Sequence, residues 1–424
     1  MRLVFEKIPA TILALGIGVV TIVGQSRTGA MTPFKAHPLS RRLGNAAVTL
    51  AQNLGRTIWP AELGPFYPGP PGGLFPPVAI AAAALLLAAL LFVAFRLRRA
   101  QPWIAAGLAW FLVGFVPLHL IIGGLQVTAD RFTYLPLLGI HLAAACIAFR
   151  VAAVARHPGR GAALLLIPGL LAIPAQRQTN FWRNGETLFH RALAVSRDTV
   201  FARINLGVAI VELGRPEEAL GQYEAALRLE PDNVHAHHNL GAVLGAVGRI
   251  EEGIEHVRRA VALDPGNAAL RVTLGTLLLK AGRPADAEQV LQAALDADSK
   301  SSVTLGGMAA LRLEQGRLED ARDLAAAATA QNPFDPRAWY LLGTATARLG
   351  DPAGGEVALR RAIALQPGIS DAGYNLALAI LSQGRTVEAR ALLDELHLRH
   401  PEDEGIDALR KQVAGEARPP EPAP

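Results

Sequence analysis

The feature that most constrains the fold is a 34-residue repeat, which runs without insertion from residue 200 to residue 403. Glycine occupies one position of every unit: Gly214, Gly248, Gly282, Gly316, Gly350 and Gly384. Small residues follow five places later: Ala219, Gly253, Ala287, Ala321, Gly355 and Ala389. Proline closes five of the six units, and Ser299 stands in the third. One supersecondary unit is therefore repeated six times.

The residue types at these positions indicate two helices per unit. Glycine permits a tight turn between the helices, and proline ends the second helix. The small residues let the paired helices approach closely. This is the pattern of tetratricopeptide repeats, which stack into a curved solenoid whose inner face is lined by the first helix of each unit. The sequence therefore predicts an all-α fold with an α-solenoid over 200–403.

Asparagine occupies the sixth position of the first, second and sixth repeats, as Asn205, Asn239 and Asn375. This resembles the superhelical arrays of the O-linked N-acetylglucosamine transferases, in which asparagine at that position lines the groove. The resemblance implies hydrogen bonds to an extended peptide, with Tyr340 and Tyr374 on the same face. The alternative is that each asparagine only satisfies neighbouring backbone groups. Charges of both signs are mixed on this face, which does not favour a phosphopeptide or carboxylate clamp.

Other ligand classes find little support in the composition. His235 and His238 share a helix face, but a stable metal site needs more ligands than the sequence places near them. The single Cys146 excludes an intrachain disulfide. Residues 1–199 hold 18 basic and 5 acidic side chains, whereas 200–403 hold 20 and 27. The basic balance is thus an average over two unlike regions and does not indicate nucleic-acid binding.

Residues 1–178 are predicted to form a membrane region. Apolar runs long enough, or nearly so, to cross a bilayer occupy five stretches: 8–25, 77–95, 103–125, 132–149 and 161–176. Basic clusters near residues 2–7, 96–99 and 150–160 all fall on the cytoplasmic side if the N-terminus is cytoplasmic. The repeats then lie outside the cytoplasm. The alternative for residues 1–30 is a secretory signal peptide, which leaves the next loop on the same side.

Three aromatic residues are expected at the membrane–water interface: Trp59, Tyr67 and Tyr134. Between the membrane region and the repeats, residues 179–199 carry an apolar stripe at helical spacing and resemble the second helix of an incomplete leading repeat. After the repeats, 404–424 combine a short polar cap helix with a proline-rich tail that is expected to be disordered.

Several stretches together resemble one family. They are 39–69, "ADRFTYLP" at 129–136, "FWRNGETLFHRAL" at 181–193, and the repeats that follow. In order, they are similar to membrane O-mannosyltransferases that join a multi-span GT-C body to tetratricopeptide repeats. The resemblance implies a polyprenyl-phosphate-linked sugar as donor and an acceptor on the outer face. No cofactor is expected with certainty.

The resemblance covers only the later part of such a body. Glycosyl transfer to a hydroxyl needs a carboxylate base, and only Glu62 and Asp130 are candidates outside the membrane before the repeats. The chain is therefore a fragment, a partner of a separate N-terminal half, or a relative without the chemistry.

Arg131, with Arg56 as helper and Asp130 orienting it, is the candidate site for the carrier phosphate, because guanidinium matches two phosphate oxygens at once. The alternative reading of Asp130 and Arg131 is an interfacial anchor. The alternative function is a membrane-tethered scaffold that binds envelope proteins without chemistry.

Overall fold

A computed structural model of the chain describes the residues in the ranges 39–58, 63–64, 67, 69, 73–117, 134–154, 176–196, 198–401 and 403–415. The elements with defined bounds in the described residues are α-helices, which confirms the all-α prediction. The chain divides into two compact units, Met1–Gly214 and Arg215–Pro424, and each is described by itself.

The described residues of the first unit form six helices with defined bounds and a further helical stretch at residues 176–181. In chain order the six are α1 Leu39–Ile58, α2 Pro77–Leu97, α3 Pro102–Pro117, α4 Tyr134–Val154, α5 Gly185–Val195 and α6 Val200–Glu212. Helices α1 to α4 pack in sequence order: α1 contacts α2, α2 contacts α3, and α3 contacts α4. Their shared core consists of Leu50, Ala94, Leu108 and Phe111.

Helices α3 and α4 approach each other through a pair of glycines. A Cβ atom added to Gly107 would lie 2.4 Å from the carbonyl oxygen of Gly139, and one added to Gly139 would lie 2.4 Å from that of Gly107. Only glycine fits on either side of such a contact. Close backbone approach through small residues is how helices associate where apolar burial gives no driving force, as in a bilayer.

One helix of the described residues, α2, is long and apolar enough to cross a membrane. In the most apolar 18-residue segment of this helix, only 11% is buried against other parts of the protein. Apolar helical segments that are shorter than a span occur at Pro102–Gly114 and Pro136–Ala148, and they overlap the predicted runs 103–125 and 132–149. The predicted spans at 8–25 and 161–176 lie outside the described residues.

The second unit contains twelve helices in its described part, Arg215–Pro401 and 403–415. In chain order they are α7 Pro216–Leu229, α8 Val234–Ala246, α9 Ile250–Leu263, α10 Ala268–Lys280, α11 Pro284–Ala297, α12 Ser302–Glu314, α13 Leu318–Gln331, α14 Pro336–Arg348, α15 Pro352–Leu365, α16 Ser370–Ser382, α17 Thr386–Arg399 and α18 Glu404–Ala414. First helices have 13 residues and second helices have 14, so the helices keep the register of the sequence repeat.

Local sequence explains where these helices begin and end. The glycine after each first helix has a positive φ, for example 85° at Gly248, which side-chain-bearing residues rarely adopt. Asn233 and Asn267 cap the first helices of the second and third repeats with their side chains. An arginine before a second helix pairs with an acid in its first turn, as Arg249 does with Glu252 at 2.7 Å. The same pair recurs as Arg215–Glu218, Arg283–Asp286, Arg317–Asp320 and Arg385–Glu388.

The pairing of helices within a repeat follows from the small residues. In the second repeat, a Cβ atom on Gly241 would lie 2.7 Å from the carbonyl oxygen of Gly253, so the two helices cross in backbone contact. First helices of consecutive repeats, such as α10 and α12, also contact each other directly. Second helices of consecutive repeats reach no comparable contact in the described unit. The first helices therefore line the inner side of the curve.

Candidate functional site

The inner face is defined here as the surface formed by the fifth, sixth, ninth and thirteenth positions of the first helices, with the second position at its edge. In the second unit its principal side chains are His238, Asn239, Thr273, Thr276, Lys280, Glu314, Arg337, Tyr340, Thr344, Arg348, Asp371, Tyr374 and Asn375. Its composition mixes aromatic, amide, hydroxyl and charged groups. Because one such face runs over five first helices, it can follow an extended chain.

Tyr340, Thr344 and Asn375 form a polar cluster between the fifth and sixth repeats. The amide nitrogen of Asn375 donates to Thr344 Oγ1 at 3.0 Å and lies 3.5 Å from the hydroxyl of Tyr340. Burial raises the pKa of the Tyr340 hydroxyl, and the nearby carboxylate of Asp371 raises it further. The phenol is thus neutral at physiological pH and keeps its proton for donation.

The other predicted asparagines have different surroundings. Asn205, in the first unit, donates to the carbonyl oxygen of Phe201 in its own helix at 2.8 Å. Asn239 is half-buried beside His238. Asn205 thus bonds to a backbone group, as the alternative describes, whereas Asn375 bonds to side-chain hydroxyls of the preceding repeat. Their part in peptide binding stays a prediction.

The histidines of "HAHH" face different partners. Nε2 of His238 lies 3.0 Å from Thr273 Oγ1 on the next first helix. Burial lowers the pKa of His238, and the charge of His235 lowers it further, so the ring is neutral near pH 7. His237 points instead to His256 on the second helix of the same repeat. The described residues hold no group of three or more His, Cys, Asp or Glu side chains arranged for a metal ion.

Arg337 makes the longest-range contact of the inner face. Its Nη2 atom lies 3.4 Å from Thr276 Oγ1, 61 residues earlier in the chain. The side chain therefore reaches from the fifth repeat to the third and passes the first helix of the fourth. The residues at the fifth and sixth positions of that helix are Gly306 and Gly307. The repeat register places Arg337 on this face, but the crossing depends on how far its side chain reaches.

The candidate phosphate site of the first unit is only partly described. The guanidinium of Arg56 stacks over the ring of Tyr67, with 3.5 Å between its Cζ atom and the ring centroid. Arg56 also donates to Asn53 Oδ1 at 3.1 Å. Tyr67, predicted at the membrane interface, is 9% exposed, and its hydroxyl accepts from the backbone nitrogen of Gly64. Trp59, Asp130 and Arg131 lie outside the described residues, and only the backbone of Tyr134 is described, at the start of α4.

Comparison with known families identifies the repeats. Models of the tetratricopeptide repeat match residues 244–303, 278–344 and 347–413, and a second model of the TPR repeat matches 207–248. Residues 207–413 therefore carry tetratricopeptide repeats, as predicted. These matches concern the repeats alone and do not extend to a glycosyltransferase family.

Solved structures with the same repeat resemble part of the chain. A tetratricopeptide repeat protein from Parabacteroides merdae is 18% identical over 51% of this chain and 84% of its own, with a TM-score of 0.44. YrrB, a TPR protein with an unusual peptide-binding site, is 25% identical over 43% and 95%, with a TM-score of 0.30. TTC0263 of Thermus thermophilus is 22% identical over 51% and 99%, with a TM-score of 0.31. No curated protein matches the chain.

Proposed function

We propose that this tetratricopeptide repeat array is the binding module of a membrane-tethered scaffold, and that its inner face binds an extended segment of a partner protein. The observation that carries the proposal is the run of aromatic, amide and cationic side chains on successive first helices, from Arg337 through Tyr340 to Tyr374 and Asn375. Tyrosine and arginine dominate the binding energy of protein interfaces, because they bury a large area and keep a polar group for orientation.

The exposure of helix α2 supports the proposal that the protein is tethered to a membrane. Its side chains are exposed around most of the helix: Val78 is 81% exposed and Phe92 is 64% exposed. An apolar helix exposed on several sides fits lipid better than water. Arg96, Arg98 and Arg99 follow its apolar run, which favours a cytoplasmic position for that end. If the three later apolar runs at 103–125, 132–149 and 161–176 also cross the membrane, the repeats lie outside the cytoplasm, where they can bind envelope proteins.

The glycosyltransferase hypothesis rests on the sequence resemblance of 39–69, 129–136 and 181–193. Both candidate carboxylates, Glu62 and Asp130, lie outside the described residues. Arg56, the proposed helper for a carrier phosphate, already stacks on Tyr67 and bonds to Asn53. The scaffold is therefore the proposed function. Transfer of a sugar from a polyprenyl-phosphate donor by the purified chain would instead favour the enzyme.

A selection experiment tests binding at the inner face. Random peptides displayed on phage are selected on the full-length chain in detergent, and enriched peptides are synthesised. Tyr374→Ala and Asn375→Ala should weaken binding by roughly tenfold or more, because they remove stacking area and a hydrogen-bonding group. Val387→Ala is the matched control on a second helix, where the side chain is 87% exposed. Peptides that bind all variants equally, or respond only to Val387→Ala, would contradict the proposal.

A further inference from the structure

Arg337 is a cation of the inner face that has no acidic partner. Its side chain is exposed, and its guanidinium lies 3.4 Å from the neutral hydroxyl of Thr276. The nearest acid in sequence, Asp335, is used elsewhere, because its carboxylate caps α14 and accepts from the hydroxyl of Ser302 at 2.6 Å. In the described part of the second unit, Arg337 therefore forms no ion pair. A cation in the first turn of a helix also opposes the helix dipole, so helix stability does not explain this arginine.

Lys280 adds a second cation beside the same hydroxyl. It follows Thr276 by four residues, so both side chains lie on one face of α10. Lys280 is exposed and has no ion pair among the residues described for this unit. Glu314 stands one repeat later on the next first helix and partly offsets the charge of Lys280. Arg337 is therefore the principal contact for an external anion, and Lys280 supports it.

Asp371 carries the opposite charge toward the other end of the inner face. It occupies in α16 the position that Arg337 occupies in α14, one repeat earlier. The two side chains do not pair, because that of Arg337 turns back to the third repeat. Asp371 is exposed and, within the described part of the unit, has no ion pair. Its carboxylate is thus open to an external cation.

Two half-buried tyrosines lie beside this carboxylate. Tyr374 follows Asp371 by three residues on the same face of α16. Tyr340 lies on the neighbouring first helix, where burial and then the charge of Asp371 raise the pKa of its hydroxyl. The faces of aromatic rings attract ammonium and guanidinium groups, and a carboxylate adds Coulombic attraction. This combination favours a lysine or arginine side chain of the partner.

The separation of the two charged sites sets the spacing of their ligands. Thr276 lies on α10 and Tyr340 lies on α14, with α12 between them. Packed helices are roughly 8–10 Å apart, so two such steps separate the sites by roughly 16–20 Å. An extended chain covers about 3.3–3.6 Å per residue, so about five or six residues bridge the sites.

We infer that the inner face recognises an extended segment with an acidic side chain against Arg337 and, about five or six residues away, a basic side chain against Asp371. The inference rests on the proposed function, since it names the partner's chemistry at the same inner face. Both contacts form at the surface, because Arg337 and Asp371 are exposed. Arg337 exchanges a 3.4 Å hydrogen bond to a neutral hydroxyl for a charge-assisted bond to a carboxylate, which is shorter and stronger.

Charge reversal tests the inference. The probes are peptides selected on the full-length chain as described above, and we expect them to carry an acidic and a basic residue at this spacing. Arg337→Glu should weaken binding by about tenfold or more, and a peptide with Lys in place of its acidic residue should restore it. Asp371→Lys should weaken binding similarly, and a peptide with Glu in place of its basic residue should restore it. Arg361→Glu, on an exposed position of the second helix α15, is the matched control and should have no effect.

The outcomes separate this inference from the proposed function. If Asn375→Ala weakens binding but neither charge reversal does, the inner face binds peptides and the assignment of the charged sites is wrong. If the reversals weaken binding and the reversed peptides do not restore it, the charged side chains do not contact the partner, and the assignment is wrong again. Selected peptides without the charge pair would also contradict it. If none of the inner-face variants matters, the proposed function fails as well.

Discussion

Nδ1 of His237 lies 3.0 Å from Nδ1 of His256, and Nε2 of His237 lies 2.9 Å from the carbonyl oxygen of Pro231. The carbonyl can only accept, so His237 carries its proton on Nε2 when neutral. Nδ1 of His237 is then the acceptor, and His256 must donate its own Nδ1–H. One hydrogen bond thus fixes both tautomers and joins the two helices of the second repeat. A proton added to Nδ1 of His237 would break it.

The histidine pair predicts acid sensitivity of the second repeat. Burial lowers the pKa of His256, as do His237 and, to a smaller extent, Arg249, while Glu252 and Glu224 act in the opposite direction. The unfolded chain therefore binds more protons than the folded chain at acid pH. The free energy of unfolding therefore has no loss from His256 above the pKa of histidine in the unfolded chain, about 6.5. It decreases as the pH falls through that value. Melting temperatures of the full chain from pH 8 to 5.5 should fall less for His256→Gln than for the unmodified chain. Parallel curves would contradict this account.

The adjacent glycines of the fourth repeat should respond differently to the same substitution. Gly307→Ala should lower the free energy of unfolding by about 1–3 kcal/mol, because the new methyl group meets Val272 Cγ1 at 2.8 Å and Leu291 Cδ2 at 3.1 Å. Gly306→Ala should raise it by up to about 0.5–1 kcal/mol, since alanine restricts the unfolded chain and meets open space. Denaturant unfolding measures both. Equal effects at the two positions would contradict this difference in packing.

The glycine contact between α3 and α4 predicts a weak point in the first unit. Gly107→Ala and Gly139→Ala should each destabilise the detergent-solubilised chain by about 1–3 kcal/mol, because the methyl group would overlap a backbone oxygen that cannot rotate away. Gly55→Ala is the control, with no atom within 4 Å of its added Cβ. Thermal aggregation of the three variants gives the comparison. A loss at Gly55 as large as that at Gly107 would argue against the crossing.

The proposed topology makes a prediction about fused reporters. Alkaline phosphatase joined after residue 415 should be active, because it folds only outside the cytoplasm, and a fusion after residue 99 should be inactive. The reason is the basic cluster at Arg96, Arg98 and Arg99, which favours the cytoplasmic side. Protein level, measured by immunoblot, controls for expression. The reverse pattern would place the repeats in the cytoplasm and remove envelope proteins as partners.

Sequence reasoning predicted the repeats well because their determinants are local. The turn at Gly248 requires a positive φ, and the crossing at Gly253 requires a small residue, so each leaves a mark at a fixed spacing. The inner face was predicted by register for the same reason. The contacts between side chains on this face were not predicted, because they depend on how far each side chain reaches. Nothing local in the sequence indicates that Arg337 contacts Thr276 or that Asn375 bonds to Thr344.

In the membrane region, too, the sequence predicted a helix but not the contacts of individual side chains. The run 77–95 predicted a helix that the structure places at Pro77–Leu97. Arg56 was selected for its charge and position, yet its surroundings depend on a loop that brings Tyr67 back over it. A cation's availability is decided by such tertiary contacts, which hydropathy and charge counts do not contain.

The most direct test of the central claim, that the inner face binds an extended partner segment, is site-specific photocrosslinking. The photoreactive residue p-benzoylphenylalanine replaces Leu378, at the ninth position of α16, or Val387, on the second helix α17. Both side chains are exposed, at 39% and 87%, so both sites report contact without burial of the probe. With a selected peptide and ultraviolet light, the account predicts a covalent adduct from position 378 and none from position 387. An adduct from position 387 alone would contradict it.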